Sequence, residues 1–318
     1  MDVSVEALRF ARGGRLVLDI PALRFLGGST TAVFGPNGSG KTTLLRLIGG
    51  LERPTAGGVR IGATPVNGDP TSRRQVAFAF QEAVFVRGSV RDNLELALRL
   101  RDVPSDERTW RLTDAARECG LELLLDRAAR QLSTGEAQRA NLARALSLRA
   151  PITLLDEPLS GIDRLTRQLL LDDLPHMLGT FASTTILVTH DREEAFRLAD
   201  HLVVLVDGRV HAAGPKGEVY ARPPDQATAE LLGYTVVRKG DRTLGVPPGA
   251  WALSGEGETF PLAVERAVDM GNHVHVVGRI GRIRVDVRLR RGEAVPTRGE
   301  WVTVAATTYV PVGCWSSP

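Results

Sequence analysis

A chain of 318 residues has room for one large domain plus a small one, or for two of medium size. Its 43% hydrophobic and 24% charged residues are ordinary for a soluble globular protein. The net charge is only +3, and its basic residues are scattered among acids, which argues against nucleic acid as a partner. Only three of the 40 basic residues are lysines, namely Lys41, Lys216 and Lys239. The two cysteines, Cys119 and Cys314, stand far apart in no metal-like spacing, so reduced thiols in a cytosolic setting are expected. The opening "MDVSVEALRF" carries Asp2 and Glu6 and no long apolar core, unlike a secretory signal. The apolar run at residues 202–206 is far shorter than the ~20 residues that span a bilayer.

In chain order, residues up to about 61 alternate strand-like runs with turns. "RLVLDIPALRFL" reads as strands, and "TTAVFGPNGSGKTTLLRLIGGL" as a short apolar strand, a glycine-rich turn and an amphipathic helix. Residues 82–150 are mainly helical, with helix spacing in "VRDNLELALRLR", "ERTWRLTDAARECGLELLL" and "GEAQRANLARALSLR". From residue 151 the alternation resumes: "ITLLDEP", "TTILVTH" and "HLVVLVDGRV" read as strands, "RLTRQLLLDDLPHML" and "DREEAFRLA" as helices. Such alternation predicts a parallel sheet with helices on its faces. Composition changes near residues 221–234. Beyond them "HVHVV", "RIRVDVRL" and "WVTVAA" predict a small all-β domain, a barrel by the spacing of its strands.

Residues 35–42, "GPNGSGKT", fit G-x-x-x-x-G-K-[ST] in the strand–turn–helix setting that a phosphate loop requires. Gly35, Pro36, Asn37, Gly38, Ser39 and Gly40 are expected to form a loop whose glycines let the backbone N–H groups (Pro36 has none) converge on phosphate oxygens. Lys41 should reach the β- and γ-phosphates, the Thr42 hydroxyl Mg²⁺, and Thr43 completes the set. "ITLLDEP" ends a buried strand in two adjacent carboxylates. Neighbours on an extended strand point apart, so Asp156 is assigned to the metal and Glu157 to the attacking water. Ser133 and Glu136 in "LSTGE" have the spacing of a capping box, which alone marks a helix start.

Taken together, the phosphate loop, "STGE" followed by "AQR", "LLDEP", "SGID" and "VTH" occur in the order found in the nucleotide-binding subunit of ATP-binding cassette (ABC) transporters, which residues 3–232 resemble. The resemblance implies an ABC domain over 1–232, with a helical subdomain at about 82–150, binding ATP and Mg²⁺. It also implies that Gln81 in "FAFQEAVF" is the Q-loop glutamine contacting Mg²⁺ and water. Asp163 lies in the D-loop along the dimer seam. His190 is the switch histidine at the γ-phosphate, placed where a parallel strand ends. Ser133, Gly135 and Glu136 form the signature, facing the nucleotide of a second copy. Thr134 stands where the family usually has glycine, a tolerable change unless φ is positive. Before "GGRLVL" the family usually stacks an aromatic on adenine; here the place falls to Arg12, with Phe10 two residues earlier, and either residue is a candidate.

Residues 233–318 resemble the accessory TOBE barrel of importer ATPases, making the fold class α/β P-loop NTPase with a helical insertion followed by an OB/TOBE-like barrel. The segment "FQEAVFVRGSVRDNLELALRLRDV" is most similar to ATPases of molybdate and tungstate importers, while sulfate, iron, sugar and polyamine importers are close alternatives. Implied partners are a second ATPase subunit (a homodimer), transmembrane permease subunits docked near "VFVRGSV" and an extracytoplasmic solute-binding protein. The implied location is the cytoplasmic face of the membrane. The rival class, a soluble ABC ATPase acting on nucleic acid or ribosomes, usually carries two cassettes, long coiled coils or zinc modules, none of which is read here. His273 with His275, and Arg282, Arg284 and Arg288 around Asp286, read as solvated strand faces.

Overall fold

The strand-forming runs at the start of the chain divide between two sheets. The computed structural model describes residues 1–253, 255–289 and 292–312; Cys314 lies outside them. β1 (Val3–Arg12) and β2 (Arg15–Phe25) form an antiparallel hairpin. β3 (Thr30–Phe34) leaves that hairpin and leads into α1 (Lys41–Ile48). β4 (Ala56–Ile61) returns to pair with β1, and β5 (Thr64–Pro65) with β4, giving the order β2-β1-β4-β5. This antiparallel sheet adds to the parallel one that the alternation predicts. Alternating strands and helices signal crossovers, but hairpins closed by tight turns leave no such mark.

The chain then forms α2 (Pro70–Arg74), β6 (Val76–Ala79), α3 (Val90–Leu100), α4 (Ser105–Glu118) and α5 (Thr134–Ser147). There follow β7 (Ile152–Asp156), α6 (Arg164–Phe181), β8 (Thr184–Thr189), α7 (Arg192–Leu198), β9 (His201–Val206) and β10 (Arg209–Pro215). The six-stranded sheet runs β10-β9-β3-β8-β7-β6 and is parallel except at β10. The single strand expected from "HLVVLVDGRV" is in fact the hairpin β9–β10, turned at Asp207 and Gly208, both with positive φ. β7 and β8 are buried along their whole length, which is why they read as unbroken apolar runs. One core joins the two sheets through α1 and includes Leu18, Phe25, Val33, Leu44, Leu154 and Ile186.

Within the helical segment, Ser89 and Asp92 form a capping box that starts α3. α4 stops at Glu118, short of the expected residue 125. Gly120 takes φ of 61°, its N–H donates to Arg117 O at 2.9 Å, and the Leu121 N–H donates to Ala116 O at 2.8 Å. That left-handed closure ends the helix, and only a 3₁₀ turn (Glu122–Leu124) follows.

Contacts divide the chain into Met1–Lys216 and Gly217–Pro318. The second unit contains α8 (Lys216–Ala221, from its second residue) and α9 (Gln226–Leu231). Its strands are β11 (Thr235–Lys239), β12 (Arg242–Val246), β13 (Trp251–Ala252), β14 (Glu258–Asp269), β15 (Val274–Ile280), β16 (Ile283–Leu289), β17 (Trp301–Ala306) and β18 (Val310–Pro311). The sheet β13-β17-β14-β15-β16 brings β13 alongside β16 and so nearly closes into the expected barrel. Its inward residues, among them Trp251, Phe260, Val276, Val285 and Val304, form a separate core. Arg284, Asp286 and Arg288 alternate outward from β16, with Arg284 and Asp286 3.9 Å apart; Arg282 sits in the preceding turn. The His273 and His275 rings meet edge to face with centroids 5.1 Å apart. No helix among the described residues is long and apolar enough to cross a membrane.

Candidate active site

The parallel register sets the site. Phe34 lies opposite Thr189, and Asp156 opposite Val188, so the carboxyl ends of β3, β7 and β8 finish level with one another. The loop after β3 therefore meets the acids after β7 and the histidine after β8 at one edge, where open α/β sheets place ligands. A cleft of about 400 Å³ opens there. It is lined by Val17, Asn37, Gly38, Gly40, Lys41, Thr42, Thr43, Gln81 and Glu157.

Gly40 caps α1 with φ of 99°, and a Cβ there would meet Leu18 Cδ2 at 2.6 Å. Only glycine satisfies both the angle and the packing. Lys41, 5% exposed, donates from Nζ to Gly35 O and Pro36 O, each at 2.9 Å. Two of its three ammonium hydrogens are thus taken by the loop itself. Burial lowers its pKa, opposed by the charges of Glu157 and Asp156. The Thr42 hydroxyl donates to Asp156 Oδ1 at 2.9 Å. Burial raises the Asp156 pKa, with that hydrogen bond pulling the other way.

Glu157 has φ of 46°, a left-handed conformation uncommon outside glycine. Its N–H is fixed by Val188 O at 2.9 Å, and the bend turns its carboxylate away from Asp156 towards two distant residues. Gln81 Nε2 donates to its Oε2 at 3.1 Å, and His190 Nδ1 lies 3.1 Å from its Oε1. Gln81, Glu157 and His190, spread over 110 positions of sequence, thus meet in one cluster beside Lys41, Thr42 and Asp156.

The signature residues line none of this cleft. Ser133 N–H donates to Glu136 Oε2 at 2.7 Å, and Glu136 N–H to Ser133 Oγ at 3.3 Å, completing the capping box. The bond from Ser133 lowers the Glu136 pKa. Thr134 is the first residue of α5 and carries no positive φ, so the departure from glycine is unstrained. Gly135 is the constrained position: a Cβ there would meet Thr166 Cγ2 at 3.1 Å. Asp163 caps α6, accepting from the N–H groups of Leu165 and Thr166 at 3.1 Å each.

Other residues were not anticipated. Val17, not Arg12 or Phe10, supplies the cleft's wall on the hairpin side. Phe10 is buried in the core, while Arg12 stacks 5.6 Å from its ring and pairs with Glu52 at 2.6 Å. Asn141 and Arg144 on α5 hold the Gln81 loop, donating to Phe80 O and Val84 O at 2.7 Å each. Their signal was faint: two polar side chains within the apolar spacing of "QRANLARAL", Asn141 being fully buried.

A family model described as "ABC transporter" matches residues 18–160. The spermidine/putrescine import ATP-binding protein of Nitratidesulfovibrio vulgaris is 36% identical over 269 residues, 84% of this chain and 73% of that protein. This chain belongs to the ABC transporter ATP-binding family. The Fe(3+) ions import ATP-binding protein of Streptomyces coelicolor is 38% identical, covering 73% of this chain and 67% of its own length. The sulfate/thiosulfate import ATP-binding protein of Mycobacterium tuberculosis is 34% identical, covering 90% and 86%. An ATP-binding cassette solved as a dimer in a post-hydrolysis state with ADP and Pi shares 29% identity and a TM-score of 0.60, over 67% of this chain and 98% of that one. As a member of this family the chain binds and hydrolyses ATP in support of transport.

Proposed function

We propose that this chain is the ATP-hydrolysing subunit of an ABC importer and that two copies close on ATP beneath a membrane permease. The observation that carries it is the Glu157 carboxylate, held between Gln81 and His190 at the mouth of a phosphate loop. In this reading the backbone N–H groups between Asn37 and Thr43 and the positive end of α1 receive the phosphates, and the third ammonium hydrogen of Lys41 reaches the β- and γ-oxygens. Thr42, Asp156 and Gln81 supply hard oxygen donors, a set that suits Mg²⁺, which uses few carboxylates because phosphates complete its shell. When bound, Mg²⁺ neutralises charge on the phosphate oxygens. Glu157 orients the attacking water and accepts its proton, and His190 supports that carboxylate and the γ-phosphate.

Ser133, Gly135 and Glu136 serve the nucleotide of the second copy, and Asp163 lies at the seam between copies. The dimeric solved cassette supports that pairing, and we take the partner as a second copy of this chain. Residues 1–232 act as the cassette and 233–318 as the TOBE-like barrel. An apolar groove of about 430 Å³ lined by Leu51, Phe78, Phe80, Val84 and Leu100 suits a permease segment. Docking there puts the chain on the cytoplasmic face, with a solute-binding protein across the membrane. The cassette does not set the solute: relatives of similar identity are named for polyamine, iron(III) and sulfate. Molybdate or tungstate belongs to the same range.

The test is Glu157→Gln, isolated from membranes of its host. We expect ATP retained, turnover lower by about 10²-fold or more, a stable dimer and a co-isolated permease. Normal turnover by a monomeric variant would remove Glu157 from its role, and recovery with nucleic acid in place of a permease would favour the soluble class.

A further inference from the structure

Behind His190 lies a cluster of charges that borders no part of the nucleotide cleft. Arg167, on the first turn of α6, reaches Asp191 Oδ2 at 2.9 Å, Glu194 Oε1 at 3.2 Å and Glu193 Oε2 at 3.3 Å. Glu194 is 4% exposed, and its other oxygen, Oε2, accepts the hydroxyl of buried Thr189 at 2.7 Å. That hydroxyl oxygen accepts the Asp191 N–H at 2.9 Å, and Asp191 Oδ1 accepts the Glu194 N–H at 3.1 Å. Thr189 and Asp191 are the chain neighbours of His190. The Thr189 link is therefore fixed through the buried Glu194 carboxylate, the Asp191 link through the Glu194 N–H, and Arg167 is the cation that pairs with both carboxylates.

A carboxylate left in such a site without its cation takes up a proton or turns towards water. Turning away frees the Thr189 hydroxyl, and protonation weakens the charge-assisted bond to it; either lets the loop drift, and His190 stands only 3.1 Å from Glu157. Misplacement of a catalytic group by about 1 Å costs on the order of 10²-fold in rate. The next residue back, Thr166, packs against Gly135, so the turn that steadies His190 also abuts the signature.

We propose that Arg167 is a positioning residue for hydrolysis, acting through Glu194 and Thr189 to set His190 against Glu157. The proposal rests on the reading of Glu157 and His190 given above. An ion pair that merely stabilises the fold would lower the melting point and leave turnover per folded molecule unchanged.

The test measures steady-state ATP hydrolysis and thermal midpoint on the purified full chain. Arg167→Met is expected to lower kcat by about 10- to 100-fold and leave KM for ATP nearly unchanged, because the phosphate loop is untouched. Arg167→Lys keeps the charge without the fork, so kcat should fall between the two, and it carries the test if the methionine variant does not fold. Thr189→Val keeps the ion pair but removes the hydroxyl link; it should lose kcat comparably, and adding Arg167→Met to it should cost little more. Normal kcat in Arg167→Met, or in Thr189→Val, would overturn the proposal, as would losses that multiply fully in the double variant. Absence of hydrolysis by the unaltered chain would overturn the reading of the site together with this proposal. Normal turnover by the unaltered chain and Arg167→Met alike would overturn this proposal alone.

Discussion

The phosphate-loop half and the signature half of the site are built on opposite plans. Around Lys41 the charged groups are sunk below the surface and bonded to neutral neighbours: Lys41 to the Gly35 and Pro36 carbonyls, Asp156 to the Thr42 hydroxyl. Around Ser133 nothing ionised is fully buried: the polar groups cap a helix, and Glu136 also pairs with Arg127 at 3.4 Å. The first half carries the perturbed groups expected of a chemical site. The second offers a hydroxyl, a close-packed glycine and a helix N-terminus, which is enough for a phosphate presented from elsewhere. If, as proposed, this half serves the nucleotide of a second copy, it need not store charge, and so it resembles ordinary helix capping.

The largest effect should fall on the charged half. Lys41→Ala removes contacts to two phosphates, each a charge-assisted bond worth about 1.5–3 kcal/mol, so ATP affinity by calorimetry should drop by about 10²- to 10⁴-fold. Unchanged binding would refute the division of labour between the halves. Gly135→Ala comes next. Its methyl meets Thr166 at 3.1 Å, and overpacking of this kind costs about 1–3 kcal/mol. ATP binding to the isolated chain should survive while turnover, which needs the closed pair, falls about tenfold; a fall in binding of the same size would place Gly135 in the wrong half. The smallest effect is Thr134→Gly. Thr134 already has helical backbone, so turnover should be nearly unaltered, with a loss of helix stability of at most about 1 kcal/mol seen as a lower melting point. A clear gain in turnover would mean that threonine does hinder the signature.

Much of this was legible in the chain. The phosphate loop, the paired acids and the capping box are local patterns, and the order of five motifs named the family. The barrel followed from strict alternation in residues 282–289, where inward Val285 and Val287 alternate with outward Arg284, Asp286 and Arg288. Val17, Asn141, Arg144 and Arg167 were missed for one shared reason. Each acts on residues remote in sequence, and its identity is common on any helix or strand.

By itself, the sequence marked the starts of α3, α5 and α6 and nominated the residues proposed for the chemistry, because caps, glycine turns and apolar periods are short-range energies. It also left Arg12 and Phe10 open, and there packing decided: Phe10 went to the core and Val17 to the cleft. Only the tertiary structure could level the ends of β3, β7 and β8, bend Glu157 into positive φ and bring Gln81 and His190 to its two oxygens. Those outcomes depend on strand register and on a buried core shared by two sheets, and both are properties of residues that meet only once the chain has folded.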